Sequence, residues 1–184
     1  MYHISNDKRS KQSAELIYQG LLICLEKKSF DRITISDLQK ASSVARTTFY
    51  RSFDNMSDVL YWRCDLCFQE ALSGFNENDF ADETRLLKQY FNYWMNNSDI
   101  LELLVSINRQ DIIYACHMKN AKLLEQRFGT LPGLGETDAR YFMAIRTGIT
   151  VSILKAWLDG GRKEDAEELL NIIKKQIKML PQRL

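Results

Sequence analysis

Cysteine and histidine are the first residues whose spacing could support chemistry in this chain. Cys64 and Cys67 form a C-x-x-C pair, and Cys116 stands next to His117. Two thiolates three residues apart share one face of a helix, and with the second pair they would supply the four ligands that zinc prefers. No second C-x-x-C occurs at zinc-finger spacing, and small buried cysteines account for the same residues. We therefore predict no metal site and no cofactor.

The common catalytic motifs are missing from the sequence. It has only two histidines, and it has no H-E-x-x-H, G-x-S-x-G or G-x-G-x-x-G. The glycine-rich stretch 129–135 lacks the Lys-Ser/Thr ending of a phosphate-binding loop. We therefore predict that the chain is not an enzyme.

Residues 46–51 carry side chains that suit nucleic acid. Arg46 can donate two hydrogen bonds to guanine, and Thr47 can contact a thymine methyl group or a phosphate. Tyr50 and Arg51 suit phosphate oxygens, and such contacts fix register rather than sequence. An ordinary surface helix also carries arginine and tyrosine, so this segment alone leaves both interpretations open.

The charge distribution favours the nucleic-acid interpretation. Residues 1–53 hold nine Lys or Arg and five Asp or Glu, a local charge of +4, whereas the remainder carries −3. A basic N-terminal quarter on a mildly acidic body is typical of a nucleic-acid-binding module joined to a sensing or dimerising domain. A solvated charged face would give the same count, so the charge supports the interpretation without deciding it.

Length and composition indicate a helical globular protein. The 184 residues include only 2 Pro and 8 Gly, too few turn residues for an all-β sandwich or barrel. No apolar run approaches the roughly 20 residues that span a bilayer, and the N-terminus lacks a signal-peptide hydrophobic region. Four cysteines do not make a disulfide framework. We expect a reduced, cytoplasmic protein with no membrane partner.

Hydrophobic spacing predicts the helices that must position these residues. In residues 1–73 it predicts one helix to about residue 25, a short helix after the capping box Thr34–Asp37, a second short helix over 46–52, and a long helix that Asp54 caps. Two short helices between longer ones form a helix-turn-helix, whose second short helix enters the major groove. Further helices are predicted over 83–95, 98–107, 109–128, 137–159 and 163–180.

The N-terminal segment resembles the DNA-binding domain of the TetR family of bacterial repressors. The matching residues are Ile33-Thr-Ile-Ser-Asp-Leu38, Ala41, Val44, Thr48-Phe-Tyr-Arg-Ser-Phe53, Asp54 and Leu60. The Thr-Phe-Tyr-Arg variant is similar to the branch that includes dihydroxyacetone-kinase activator-like members. The resemblance implies an all-α chain with a helix-turn-helix DNA-binding domain over 1–53 and a helical ligand-binding and dimerisation domain over 54–184.

The resemblance also implies roles for individual residues. The implied contacts to operator DNA come from Thr34, Ser36, Arg46, Thr47, Thr48, Tyr50 and Arg51. The implied pocket for an unknown small-molecule effector lies among aromatic and methionine residues of the body, for which we name Trp62, Tyr90, Trp94, Tyr114, Met118 and Phe142. Aromatic residues at helical spacing also form ordinary core, and that alternative stays open for each of them.

Two features near the C-terminus predict a homodimer. Small residues recur every four positions at Ala144, Gly148, Ser152 and Ala156, which lets another helix approach closely. The last helix carries a stripe close to a heptad, which includes Leu169, Leu170, Ile173 and Ile177. In the family that this chain resembles, the last two helices form the dimer interface; packing within one subunit is the alternative. A dimer would place two recognition helices on a palindromic operator.

Three departures from the family pattern bear on DNA binding. Ser43 replaces the turn glycine, Ala45 replaces the serine that caps the recognition helix, and Met56 replaces a lysine that contacts phosphate. These changes predict weaker affinity for DNA on an unchanged fold. They leave two interpretations: a regulator that represses by occluding its operator, with activation also open, or a helical dimer that acts through a protein partner.

Overall fold

The computed structural model describes residues 1–74, 83–128 and 135–179, apart from the side chains of 83, 121, 124–128, 136 and 177–179. These residues form nine α-helices and no β-strand, which confirms the all-α prediction. The helices are α1 Lys8–Leu25, α2 Ile35–Ser42, α3 Arg46–Ser52, α4 Met56–Ser73, α5 Glu83–Asn96, α6 Asp99–Ser106, α7 Gln110–Phe128, α8 Glu136–Asp159 and α9 Ala166–Met179. A short 3-10 turn, Phe30–Arg32, lies between α1 and α2.

The first three helices pack as a helix-turn-helix unit. Ile17 and Leu21 of α1 are buried together with Leu38 of α2 and Phe49 of α3. Helices α1 and α2 approach so closely that a Cβ atom on Gly20 would lie 2.6 Å from the Cβ atom of Ser42. The glycine therefore sets the distance between the two helices.

The capping box that the sequence predicts at the start of α2 is confirmed. The Thr34 hydroxyl accepts a hydrogen bond from the Asp37 amide at 3.1 Å, and the Asp37 carboxylate accepts one from the Thr34 amide at 3.0 Å. The Lys28 ammonium lies 2.7 Å from the same carboxylate, and these bonds hold the pKa of Asp37 well below its usual range. The two reciprocal hydrogen bonds between Thr34 and Asp37 fix the start of α2 at Ile35.

The prediction that Asp54 caps α4 is wrong. Asn55 is the N-cap: its side chain accepts a hydrogen bond from the Asp58 amide at 3.1 Å, and the Asp58 carboxylate accepts from the Asn55 amide at 3.3 Å. Asp54 lies one residue too early and instead places a carboxylate oxygen 3.0 Å from Nε2 of His3. Asn55 and Asp58 are the N-cap and the third helical residue, the spacing at which a capping box forms, and Asp54 lies one residue outside that spacing.

The body is built around α4, which packs along α7. Helix α7 packs in turn on α8, and α5 packs on α9. The core of the body includes Leu60 and Phe68 of α4, Trp94 of α5, and Leu101 and Leu104 of α6, each almost fully buried. No helix in the described part of the chain is both long enough and apolar enough to cross a membrane.

Helix α9 begins three residues later than the hydrophobic pattern suggests. The Asp165 carboxylate accepts hydrogen bonds from the amides of Glu167 at 2.8 Å and Glu168 at 2.9 Å, and Glu168 accepts in return from the Asp165 amide at 3.0 Å. These bonds satisfy the first free amides of a helix, so α9 begins at Ala166 rather than at Lys163.

Candidate functional site

Helix α3 presents one face to solvent and anchors the opposite face in the core. Phe49 is buried among α1 and α2, and Phe53, directly after the helix, is fully buried. Burial of these rings fixes the rotation of α3, because residues three and four apart share a helix face. The residues that this rotation exposes are Arg46, Thr47, Tyr50 and Arg51, with Thr48 half-buried beside them.

The predicted DNA contacts of α2 lie on exposed positions as well. Thr34 and Ser36 are both exposed at the N-terminal end of that helix. The Thr34 hydroxyl is already engaged with Asp37, to whose carboxylate it donates a hydrogen bond at 2.7 Å. The Ser36 hydroxyl has no hydrogen bond described within the chain, so it is the side chain at this end of α2 that is available to a phosphate group.

Arg46 is supported by its own helix. Its guanidinium carbon lies 5.5 Å from the centroid of the Tyr50 ring, and one of its terminal nitrogens lies 3.4 Å from the Tyr50 hydroxyl. Residues four apart on a helix are neighbours, so the tyrosine ring forms a platform under the arginine. Such a platform restricts an otherwise flexible side chain that must reach a base or a phosphate.

The turn before α3 carries both local defects that the sequence predicts. Ser43 adopts the left-handed backbone conformation, with φ 58° and ψ 17°, which favours glycine. Ala45 occupies the N-cap position of α3 and makes no side-chain bond to the helix amides. Both defects lie directly before the face that would contact DNA.

A cluster of aromatic rings lies inside the body where α4, α5 and α7 meet. The Phe68 ring centroid lies 4.6 Å from that of Trp94 and 5.6 Å from that of His117, and the Tyr90 ring lies 5.9 Å from that of His117. The Tyr90 hydroxyl, the Trp94 indole nitrogen and the Gln89 amide oxygen are buried without a hydrogen-bond partner among the described residues. Buried polar groups without partners are rare in folded proteins, and two of these three, on Tyr90 and Trp94, belong to rings of the cluster whose centroids are 6.2 Å apart.

His117 is neutral at physiological pH. Its Nδ1 lies 3.0 Å from the hydroxyl of the fully buried Thr147 on α8, and Met118 places its sulfur 3.0 Å from the same hydroxyl. Burial lowers the pKa of His117 to about 4, and the charge of Arg146 acts in the same direction. The imidazole therefore offers one donor and one acceptor within the cluster.

The structure brings together only part of the predicted effector pocket. Tyr90 and Trp94 lie in the aromatic cluster, and Met118 reaches it through Thr147. Trp62 instead packs against Phe53, with ring centroids 6.0 Å apart, at the junction with the helix-turn-helix unit. The other two members lie toward solvent, Tyr114 on α7 being 40% exposed and Phe142 on α8 half-buried beside Arg146.

The cysteines of the C-x-x-C pair are buried in the core. Cys64 and Cys67 lie on α4, and the thiol of Cys116 on α7, also buried, donates a hydrogen bond to the Tyr61 carbonyl of α4 at 3.6 Å. Burial raises the pKa of the Cys64 thiol well above its ordinary value. Within the described part of the chain, no three His, Cys, Asp or Glu side chains lie close enough to hold a metal ion.

The row of small residues on α8 borders an uncovered apolar surface. Ser152 and Ala156 are exposed, and Ala144 and Gly148 are half-buried. The large side chains next to this row are also exposed, namely Tyr141, Ile145 and Ile149, at 60%, 61% and 41%. Together these residues form an apolar face of α8 that the other described residues leave open.

The predicted stripe on α9 divides between the core and the surface. Leu169 and Leu170 are buried in the protomer, where α9 packs on α5, so they have little surface left for a partner. For these two residues the structure favours the alternative of packing within one subunit. Ile173 is half-buried, and the side chain of Ile177 lies outside those that the structure describes.

One buried charged group had no signal in the sequence. Asp65 on α4 is fully buried, and its carboxylate accepts hydrogen bonds from Lys119 at 2.6 Å, Asn120 at 2.7 Å, Gln69 at 2.9 Å and the Tyr2 hydroxyl at 2.5 Å. A helical aspartate normally faces water, so its position alone predicts exposure. Apart from Gln69, one turn along α4, its partners lie far away along the chain, and only the fold brings them to Asp65.

Comparisons with known proteins bear on both halves of the chain. A family model of TetR C-terminal domains, described as a transcriptional regulator C-terminal region, matches residues 83–179. An HTH-type dhaKLM operon transcriptional activator, DhaS, from Lactococcus lactis is 25% identical over 109 residues, or 59% of this chain. That match covers 50% of the relative's own length. The crystal structure of Lin0861 from Listeria innocua aligns with a TM-score of 0.79 over 97% of this chain and 96% of that chain; at 14% identity it shows a shared fold.

Proposed function

Because the chain belongs to the TetR family of transcriptional regulators, we propose that it binds a palindromic DNA operator as a homodimer. The observation that carries this proposal is the exposed face of α3, where Arg46 and Thr47 stand beside Tyr50 and Arg51 on a helix anchored by buried Phe49. Arginine reads guanine with two hydrogen bonds in the major groove. Thr34, Ser36 and Thr48 then hold phosphates and set the register of the helix.

The uncovered face of α8 supports the homodimer. A contiguous apolar surface that includes Ile145 and Ile149 is unusual on a chain that functions alone. A second copy packed on this face would cover it by two-fold symmetry. The two copies of α3 would then meet two half-sites about one turn of DNA apart, roughly 34 Å.

The aromatic cluster supports a small-molecule effector site in the body. The Tyr90 hydroxyl and the Trp94 N–H have no described hydrogen-bond partner and lie among apolar rings, so they are the groups that would form directional bonds to an effector. Regulation requires that the body (α4–α9) and the DNA-binding unit (α1–α3) can adopt two relative arrangements. An effector would change DNA binding only if its affinity for one arrangement were higher than for the other. Helices α4 and α7 line the cluster and are the elements that such a ligand would shift.

We infer repression by operator occlusion as the mode of action. The Lactococcus relative is named an activator, so activation is the alternative mode. A reporter assay distinguishes repression from activation. A promoter that carries the selected operator should be expressed less when this chain is produced. Increased expression would establish activation instead.

Selection from a random pool of DNA duplexes at two salt concentrations tests DNA binding. We expect a palindrome to be enriched, with affinity that falls steeply as salt rises because phosphate contacts release counterions. Arg46→Ala should lose about 1–3 kcal/mol of binding free energy and relax the preference at its base position. Lys122→Ala, which removes an exposed positive charge on α7, is the control and should bind like the parent.

A helical dimer that acts through a protein partner is the alternative function. The strained Ser43 and the uncapped start of α3 at Ala45 favour it, because both weaken the element that would read DNA. Enrichment of no sequence at either salt concentration would support this alternative. Salt-sensitive binding to one palindrome would exclude it as the main activity.

A further inference from the structure

The first five residues run across two parts of the molecule. The His3 amide donates a hydrogen bond to the Ser52 carbonyl at 2.7 Å, and Tyr2 forms an antiparallel bridge with Phe53. Ser52 and Phe53 are the last residue and the C-cap of α3. This segment, which we call the strap (residues 1–5), is therefore attached to the end of the helix that would read DNA.

The Tyr2 side chain connects the strap to the body. Its hydroxyl donates a hydrogen bond to Asp65 of α4 at 2.5 Å and accepts one from Lys119 of α7 at 3.3 Å. The Lys119 ammonium also lies 5.2 Å from the centroid of the Tyr2 ring. Burial and the neighbouring Asp65 raise the pKa of Tyr2, so the hydroxyl keeps the proton that it donates.

Asp65 needs these partners because it is fully buried. A buried carboxylate is tolerated only when an opposite charge and hydrogen bonds compensate for the loss of water. Lys119 supplies the charge at 2.6 Å, and Asn120 and Gln69 supply two more donors. A movement of α7 that withdrew Lys119 would therefore disturb the bond to Tyr2.

The same stretch of α7 touches the aromatic cluster. His117 faces Phe68 and Tyr90, and Lys119 and Asn120 follow it on the adjoining face toward Asp65. Helix α7 moves as a rigid element, so a shift at His117 displaces Lys119 too. The strap thus has one end on the body, beside the cluster, and its other end on α3.

We propose that the strap couples the position of α7 to the orientation of the DNA-binding unit, with the Tyr2 hydroxyl as the link. While the Tyr2–Asp65–Lys119 group is intact, the strap holds the end of α3 against the body. When α7 shifts, the link opens and the DNA-binding unit loses this attachment, so that it is held by its packing on α4, including that of Phe53 on Trp62, and can reorient more widely about the start of α4. The use of this device in regulation rests on the proposed function, whereas the mechanical link does not.

Residual dipolar couplings of the full chain without DNA test the link. We expect residues 8–52 and residues 99–120 of the parent to share one alignment tensor. In Tyr2→Phe the hydroxyl that bonds to Asp65 is lost and the ring is kept. The added motion of residues 8–52 should then make the magnitude of their alignment tensor smaller than that of residues 99–120. Tyr61→Phe is the matched control: its ring lies 6.1 Å from that of Tyr2, but its hydroxyl is not among the four described partners of Asp65.

A second variant breaks the other end of the strap. His3→Pro removes the amide that bonds to Ser52 and the imidazole that lies 3.0 Å from the Asp54 carboxylate, and it replaces no member of the Asp65 group. It should reduce the tensor of residues 8–52 as Tyr2→Phe does. A shared tensor in both variants, separate tensors in the parent, or the same loss in Tyr61→Phe would each overturn the proposal. Because the sample holds no DNA, failure of operator binding and failure of the link are observed separately.

Discussion

At the scale of single residues, protonation of His117 is expected to weaken the folded state. Its pKa is about 4 when folded and returns to 6.5 when unfolded, so below pH 6.5 the unfolded chain takes up the proton first. The stability that the neutral imidazole contributes is complete above pH 6.5 and is lost as the pH falls toward 4. The full contribution is about 3 kcal/mol.

Urea unfolding at pH 7 and pH 4.5 measures this contribution. The parent should lose more free energy of unfolding between the two pH values than His117→Gln, which keeps a hydrogen-bonding group toward Thr147 without a proton that titrates in this range. Carboxylates titrate in both proteins, so the difference between them isolates the histidine. Equal losses would contradict a buried neutral His117.

Ser43 is expected to cost stability because of its backbone conformation. A non-glycine residue in the left-handed region destabilises the folded state by roughly 1–2 kcal/mol. Glycine removes this strain but also stabilises the unfolded chain through its larger conformational entropy, which offsets part of the gain. Ser43→Gly should therefore raise the free energy of unfolding by about 0.5–1 kcal/mol. Asn108→Gly is the control at the same φ of 58°, and it should gain less because asparagine tolerates this region. Equal gains would show that strain at Ser43 is not the cause.

Which residues were predictable depends on how far apart their partners lie. The exposed face of α3 follows from local spacing, since Phe49 and Phe53 must be buried and Arg46 and Tyr50 then face outward. The burial of Asp65 could not be predicted, because its charged partner Lys119 and the Tyr2 hydroxyl lie 54 and 63 residues away along the chain. The environment of a side chain can be predicted from the sequence when it depends on residues within one helix turn. It cannot be predicted when it depends on tertiary contacts.

At the scale of elements, Gly20 determines how α1 and α2 pack. A methyl group at this position would lie 2.6 Å from the Cβ of Ser42 and 2.9 Å from its backbone, so the two helices would have to separate. Gly20→Ala should cost about 1–3 kcal/mol of stability despite the better helix propensity of alanine. Gly74→Ala is the control, since a Cβ atom there would meet no atom of the described residues within 4 Å. Thermal unfolding of the two variants decides the point, and equal melting temperatures would contradict the close packing.

Helix boundaries were predictable except where two neighbouring residues could serve as the cap. Asp54 and Asn55 are both good N-cap residues, and the choice follows from which of them can bond reciprocally with Asp58. The hydrophobic stripe predicts the start of α9 too early because it carries no information about the Asp165 cap. Periodicity finds a helix, but the backbone geometry at its end decides the first residue.

At the scale of the whole molecule, α7 joins the body to the DNA-binding unit at two points. Near its middle, Lys119 and Asn120 hold Asp65 and the strap. Just before its start, Arg109 donates a hydrogen bond to Ser57 of α4 at 2.7 Å and lies 5.8 Å from the ring centroid of Phe30 in the 3-10 turn. A tilt of α7 would therefore act on the DNA-binding unit at two places, the end of α3 through the strap and the 3-10 turn between α1 and α2.

The open face of α8 gives the last prediction, which concerns assembly. Ile145 is 61% exposed in one chain, so a lysine there costs the isolated fold little. In a dimer packed on this face, the same lysine would be desolvated beside its symmetry mate, and two like charges in a buried interface are strongly unfavourable. We therefore expect Ile145→Lys to sediment as a monomer while its circular dichroism stays that of the parent. Leu123→Lys is the control, because Leu123 is 48% exposed but lies on α7. A dimer that survives Ile145→Lys at the concentration where the parent dimerises would place the interface on another surface.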